Sequence, residues 1–302
     1  MMKKCLLFIS LFYLTILSAT QPTQELSTTV EIVDKNNSII PVLSSRSLSD
    51  CKLVSEATKG GIFYFEIPNE CEKYIDEALE FCYHFPNNDE IKNYSDGKFG
   101  GYHQRNHDQI ESFYVEKKDW NLVLSLSLQQ LASEMEILTK EILISVLINS
   151  AIPKEMWSQG TGNLTDGKGQ THFSFNHYRP EKNTVGIKPH RDFGLVSILF
   201  VEKDGLEAYH QKEWKKVPPL DGYFVVILGK AFEILVNDVE KVSGAWHQVR
   251  QLLEERASFG ITCDSDENLP VLRYHEDQGQ FEQVHPCYND YINDCFKETY
   301  AP

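Results

Sequence analysis

Thr171-His172-Phe173-Ser174-Phe175-Asn176-His177-Tyr178 marks the point where the pattern of the chain changes. From here short apolar stretches alternate with turns, at 171–178, 195–201, 223–228, 232–236 and 257–262. Strands at that spacing predict a sandwich or barrel of antiparallel strands. Upstream the periodicity is helical. Leu131, Met135, Leu138, Ile142 and Val146 recur at three and four residues within a helix expected over Leu122–Leu147, ended by Pro153. Asn69–Tyr83 reads as another helix, with Tyr74, Ala78 and Phe81 on one face. Gly60–Ile67 reads as a strand opened by glycines, Ser38–Leu43 as a short first strand, 84–118 as loop-rich and 288–299 as a closing helix. The expected class is mainly β with flanking helices, in one domain.

The bulk numbers narrow the partners. The 302 residues suffice for a substantial core, and no fixed-period repeat points to a solenoid or propeller. A formal net charge of −15, with basic residues scattered as pairs such as Lys117-Lys118 and Lys215-Lys216, argues against nucleic acid. The first stretch departs from this composition. Met1-Met2-Lys3-Lys4 is basic, Cys5–Ser18 is apolar and uncharged, and small residues follow. That is the layout of a secretory signal over 1–20, too short for a membrane span of about 20 apolar residues. It predicts a secreted or periplasmic chain with no membrane association after cleavage, then a flexible polar arm over 21–38. The alternative is a cytoplasmic protein. Beyond Cys5 six cysteines remain, which an exported protein could bridge or keep as buried thiols. No CxxC pair suggests zinc.

His190-Arg191-Asp192 carries the chemistry. In an extended segment successive side chains point to opposite faces, so His190 and Asp192 share one face and Arg191 leaves it. One imidazole beside one carboxylate lacks only a third ligand to form a facial triad, which leaves iron positions open for substrate and dioxygen. His247, in Ala245-Trp246-His247-Gln248-Val249, is the candidate, on what could be a neighbouring strand. An HxD pair alone is common by chance. Alternation also puts Arg256 and Ser258 on one face, a guanidinium fork plus a hydroxyl suited to a carboxylate. Asn176 and Tyr178 face together in the same way. His190-Arg191-Asp192-Phe193-Gly194 also spells two kinase signatures run together, but a kinase needs them apart, with a glycine-rich loop and strand Lys that are absent here.

The order Asn-x-Tyr-x-Pro, His-x-Asp, a distal His and Arg-x-Ser resembles the isopenicillin N synthase-like family of iron(II)/2-oxoglutarate dioxygenases. Gly222–Gly229 between the ligands, Ala57–Phe65 upstream and Ile40-Pro41-Val42 resemble that family too, so the likeness covers roughly 39 to 300. It implies a distorted double-stranded β-helix, or jelly roll, in a single dioxygenase domain over 39–302: a helical part at 39–150, the jelly-roll core at 165–265 and a C-terminal extension at 266–302. It implies iron(II) on His190, Asp192 and His247, with 2-oxoglutarate and O2 as co-substrates and ascorbate as a further candidate cofactor. Arg256 and Ser258 would hold the distal carboxylate of 2-oxoglutarate, Tyr178 would be its third contact, and Asn176 would support the metal-side end. The implied reaction couples decarboxylation of 2-oxoglutarate to succinate with hydroxylation, desaturation or cyclisation of a small organic substrate, by a monomer. Lys188 and Phe193 flank the metal pair and are candidate substrate contacts. His172, His177 and His285 are expected to be structural or at the surface, and Tyr94, Tyr102, Phe113 and Tyr114 to serve as lid or packing residues, some lining a pocket. Two alternatives stay open: an isopenicillin N synthase-type oxidase with the same iron site that does not consume 2-oxoglutarate, and a non-catalytic jelly-roll binding protein. Both co-substrate and ferrous iron are chiefly cytosolic, which stands in tension with the leader.

Overall fold

The computed structural model describes residues 40–210, 212–237 and 241–300. The leader at 1–20, with Cys5, and the arm at 21–38 lie outside the described residues. The strands are β1 (Val42–Leu43), β2 (Ile62–Glu66), β3 (Gly101–Gln104), β4 (Ile110–Glu116), β5 (Gln170–Tyr178), β6 (Ile187–His190), β7 (Val196–Val201), β8 (Leu206–His210), β9 (Glu213–Lys216), β10 (Tyr223–Leu228), β11 (His247–Val249), β12 (Arg256–Asp264), β13 (Val271–His275) and β14 (Gln280–His285). The helices are α1 (Cys51–Lys59), α2 (Asn69–Glu72), α3 (Ile75–His84), α4 (Asp89–Asn93), α5 (Trp120–Val123), α6 (Leu126–Ile148), α7 (Trp157–Gly160), α8 (Lys230–Val236) and α9 (Tyr288–Tyr300). One sheet runs in the order β1-β2-β10-β7-β12-β5-β4-β3, and a smaller one in the order β6-β11-β8-β9. Apart from β1 with β2, every pair in these two sheets is antiparallel. The fold is a jelly roll with supporting helices.

Alternation along the central strands decides what each face does. On one face of the large sheet Phe173, Phe175, Phe224, Phe259 and Ile261 join Leu131, Met135, Leu138 and Ile142 of α6 in one apolar core. The opposite face looks into the roll, where Ile62, Val225 and Ile227 meet Leu206, Ala208 and Val249 of the small sheet. Each buried ring on the helical side contributes on the order of 2–3 kcal/mol. That side holds the strands together, so the inward row of β5 and β12 is free to carry polar groups.

Several sequence expectations are corrected. Residues 232–236 form no strand but belong to α8: Ala231, Phe232, Leu235 and Val236 are buried at helical spacing, and Asn237 ends the helix with φ 54°. The stretch 84–118 holds α4 and the β3–β4 hairpin, in which β4 is largely buried and β3 ends at the exposed Gln104. The helix expected over Asn69–Tyr83 is two, α2 and α3, separated at Lys73-Tyr74. The long helix starts at Leu126, because Leu124 is extended and the Ser125 side chain accepts from Leu128 N. All six described cysteines are free thiols, four of them buried, so none is bridged. No described helix is long and apolar enough to cross a membrane.

Candidate metal centre

The small sheet brings the two histidines together. β11 pairs with β6 in a register that sets His247 opposite His190, while Asp192 follows two residues after His190. The ring centroids of His190 and His247 are 4.2 Å apart. Asp192 Oδ1 lies 3.9 Å from His190 Nε2 and 3.5 Å from His247 Nε2. One donor atom from each of the three lies within 4.8 Å of the others. The rings are oriented from behind: His190 Nδ1 is 2.8 Å from Lys188 O, and His247 Nδ1 is 3.1 Å from Ala245 O. A carbonyl only accepts, so each Nδ1 carries the proton and each Nε2 lone pair is left for the centre. Burial, with His247 adding to it, pushes the His190 imidazolium down to about 3, which keeps the ring in the neutral form that binds metal. Arg191 is not among the three donors; its guanidinium donates to Glu233 Oε1 at 2.9 Å and lies 5.4 Å from the Trp246 ring centre, and the residue lines a cavity beside the site. α8 braces the loop, with Lys230 N donating to Asp192 O at 2.8 Å. Two imidazoles and one carboxylate on one side of a point are a donor set that suits non-haem iron(II).

Two cavities meet at His190 and Asp192. The first, of about 90 Å³, is lined by Asn176, Tyr178, Arg256 and Ser258 together with His190, Asp192 and His247. The cross-strand register Arg256↔Tyr178 and Ser258↔Asn176 sets all four on the inward row. Arg256 is 2% exposed. Its Nε donates to Lys203 O at 3.0 Å and its guanidinium lies 4.7 Å from the Tyr178 ring centre, while Nη1 is buried with no partner. A buried guanidinium N–H without an acceptor is costly unless an anion meets it. This observation fits the far carboxylate of a dicarboxylate that reaches the metal. Asn176 Oδ1 accepts from Ser112 Oγ at 2.8 Å, which fixes the carboxamide.

The second cavity, of about 150 Å³, shares His190, Asp192, Tyr114, Ile187 and Thr262 with the first and extends to the other side. Phe193 lines it. Lys188 lines neither cavity: its side chain is exposed, and it serves the site through the carbonyl that orients His190. Of the aromatics expected in lid or packing roles, Tyr114 lines both cavities, whereas Phe113 is fully buried in the core. Ser197, Thr262 and Asp264 went unnoticed in the sequence. The signal was there, since the alternation that pairs Arg256 with Ser258 continues through Gly260 and Thr262 to Asp264. Asp264 accepts from the Tyr288 hydroxyl at 3.0 Å, and burial pushes its carboxyl up to about 7.

His172 is buried. It has partners, lying with Asp96 and Glu116 in a second group of possible ligands. The Lys118 ammonium pairs with Glu116 and lies 4.0 Å from Asp96 Oδ2, so it supplies the positive charge that the two carboxylates need. His177 is buried and packs edge-on to Tyr83, a structural position.

Comparison with known proteins locates this arrangement. Residues 170–265 match the family model of the 2OG-Fe(II) oxygenase superfamily. The chain is 33% identical over 119 residues to 2-oxoglutarate-dependent dioxygenase 19 of Oryza sativa subsp. japonica, a match covering 36% of this chain and 34% of that relative. With codeine O-demethylase of Papaver somniferum it is 25% identical over 285 residues, covering 84% of this chain and 73% of that protein. The chain thus spans about a third of the former relative and most of the latter. The crystal structure of a full-length Neurospora crassa protein in complex with alpha-KG and thymine superposes with a TM-score of 0.71 at 13% identity, covering 88% of this chain and 99% of that one. The superposition supports the fold, and the matched segment holds Asn176, Tyr178, all three metal-ligand candidates, Arg256 and Ser258. Across residues 170–265 the β core of this chain is similar to the 2OG-Fe(II) oxygenase superfamily.

Proposed function

We propose that the chain is an iron(II)- and 2-oxoglutarate-dependent dioxygenase acting on a small organic molecule. The observation that carries this reading is the buried, unpartnered Arg256 Nη1 in the same cavity as His190, Asp192 and His247. His190, Asp192 and His247 would hold the metal. Arg256 and Ser258 would bind the distal carboxylate of 2-oxoglutarate, with Tyr178 under the guanidinium and Asn176 at the metal-side end. The Lys188 and Ala245 carbonyls keep both Nε2 atoms aimed inward. Iron, when bound, supplies the activation of dioxygen that lets 2-oxoglutarate plus O2 plus a substrate C–H bond become succinate, carbon dioxide and C–OH. Membership of the isopenicillin N synthase-like branch is supported by the order Asn176-x-Tyr178, His190-x-Asp192, His247, Arg256-x-Ser258. It is also supported by a 39% identical match over 69 residues to the 1-aminocyclopropane-1-carboxylate oxidase homolog of Solanum lycopersicum.

The test is the visible charge-transfer band formed when iron(II) and 2-oxoglutarate are added anaerobically, followed by succinate release in air. The band should form, and succinate should match oxygen consumed. Oxygen uptake without succinate would favour the oxidase that spares 2-oxoglutarate, and absence of iron binding would favour a binding protein.

A further inference from the structure

We propose, resting on the function above, that the larger cavity takes a small uncharged aromatic molecule whose hydroxyl or amide N–H bonds to a polar floor formed by Ser197, Thr262 and Asp264. The floor follows from strand register. Thr262 and Asp264 continue the inward row of β12 beyond the Arg256–Ser258 pair, and β7 sets Ser197 opposite Thr262. All three line the cavity. The Ser197 and Thr262 hydroxyls have no hydrogen-bond partner among the described residues, although Ser197 is only 2% exposed. Hydroxyls that face a cavity without a protein partner are available to a polar group of a bound molecule. The hydroxyls of Ser197 and Thr262 can accept, and Asp264 keeps acceptor oxygen in either protonation state, so a donor on the ligand finds a partner there.

The remaining walls set the body of the ligand. Phe99 lies 4.5 Å from Tyr114 and 5.5 Å from Phe296, and Phe296 lies 5.1 Å from Phe193, ring centre to ring centre. These four rings line the cavity continuously and favour a stacked or edge-on aromatic guest. Charge argues against an anion. Both cations on the wall are answered within the protein: Arg105 pairs with Asp108 at 3.4 Å and Arg191 with Glu233 at 2.9 Å. Asp192 and Asp264 also line the space.

The experiment titrates 2-naphthol, 2-methoxynaphthalene, decahydro-2-naphthol and 2-naphthoate into the full chain by calorimetry, with manganese(II) and 2-oxoglutarate present and again without them. 2-Naphthol should bind severalfold tighter than the ether, which lacks the donor, and than the saturated alcohol, which lacks the ring. Ser197→Ala should weaken 2-naphthol about two- to tenfold, the range for one hydrogen bond, and leave 2-methoxynaphthalene unchanged. Phe296→Ala should weaken both aromatics. Equal binding of the saturated alcohol, or tightest binding of 2-naphthoate, overturns the proposal. Failure of the wild type to form the iron(II)–2-oxoglutarate band refutes the dioxygenase function instead. The ranking measured on metal-free protein then still decides the chemistry of the cavity.

Discussion

His247 stands directly opposite His190 in the β11–β6 ladder, with the two imidazoles 4.2 Å apart. Any metal held there ties together strands separated by 57 residues (247 − 190), so binding should be visible as stability. Manganese(II) at a hundred times its Kd should add about 2.7 kcal/mol to unfolding and raise Tm by several degrees. His247→Ala should abolish the shift while leaving the metal-free Tm near that of the wild type. Equal manganese-induced shifts in both proteins would dissociate His247 from the metal.

Arg256 and Ser258 should govern the co-substrate. Arg256→Gln removes the charge that faces the smaller cavity, and a charge-assisted hydrogen bond is worth about 1.5–3 kcal/mol. The KM for 2-oxoglutarate should therefore rise roughly ten- to hundredfold. Arg256→Lys should recover only part of this, because an ammonium cannot use both the Lys203 carbonyl and the cavity in the geometry of the fork. Succinate release at graded 2-oxoglutarate measures both. An unchanged KM in Arg256→Gln would remove the carboxylate clamp.

Where two-residue alternation acts on one covered and one functional face, the sequence is readable. On β12 it separates Arg256 and Ser258 from Ala257 and Phe259, and the structure keeps that division. It failed at Phe232-Glu233-Ile234-Leu235-Val236, because a short apolar run has no period of its own to tell strand from helix. There the outcome is tertiary: Lys230 N and Ala231 N donate to the carbonyls of Asp192 and of Phe193 and Gly194, and Glu233 reaches Arg191. The β3–β4 hairpin was hidden for a related reason. Glu111 in β4 is fully buried against Arg179, Tyr102 and Gln104, so a charge sits where the pattern calls for an apolar residue. Distances between the triad members depend on β6 and β11 pairing, which no local pattern encodes.

Asp264 gives a pH signature. Burial lifts its carboxyl to about 7, against about 3.9 in an unfolded chain. Between those values the folded protein keeps a proton that the unfolded chain has released, so stability falls as pH rises from about 4 to 7. Asp264→Asn keeps the shape and removes the titration. The drop in Tm of metal-free protein between pH 5 and pH 8 should be smaller in the variant than in the wild type. Parallel profiles would show that this carboxyl does not titrate in that window.

Phe259 separates stability from chemistry. It is fully buried on the helical side, stacked on Phe200 at 5.1 Å and edge-on to Phe173 at 6.1 Å, between the inward residues Ser258 and Gly260. Removing such a ring costs about 3–5 kcal/mol through lost transfer and a residual cavity. For a chain of this size that corresponds to a fall in Tm of roughly 10 °C. The ladders from β12 to β5 and β7 are made by backbone groups that the substitution does not touch, so Arg256 and Ser258 should keep their places. Phe259→Ala should therefore lose stability in a melting curve while its KM for 2-oxoglutarate, measured well below the new Tm, stays within about threefold of wild type, below the tenfold that about 1.4 kcal/mol at the clamp would produce. A rise as large as that of Arg256→Gln would mean that the two rows of β12 are coupled, and that the co-substrate slot depends on the packing behind it.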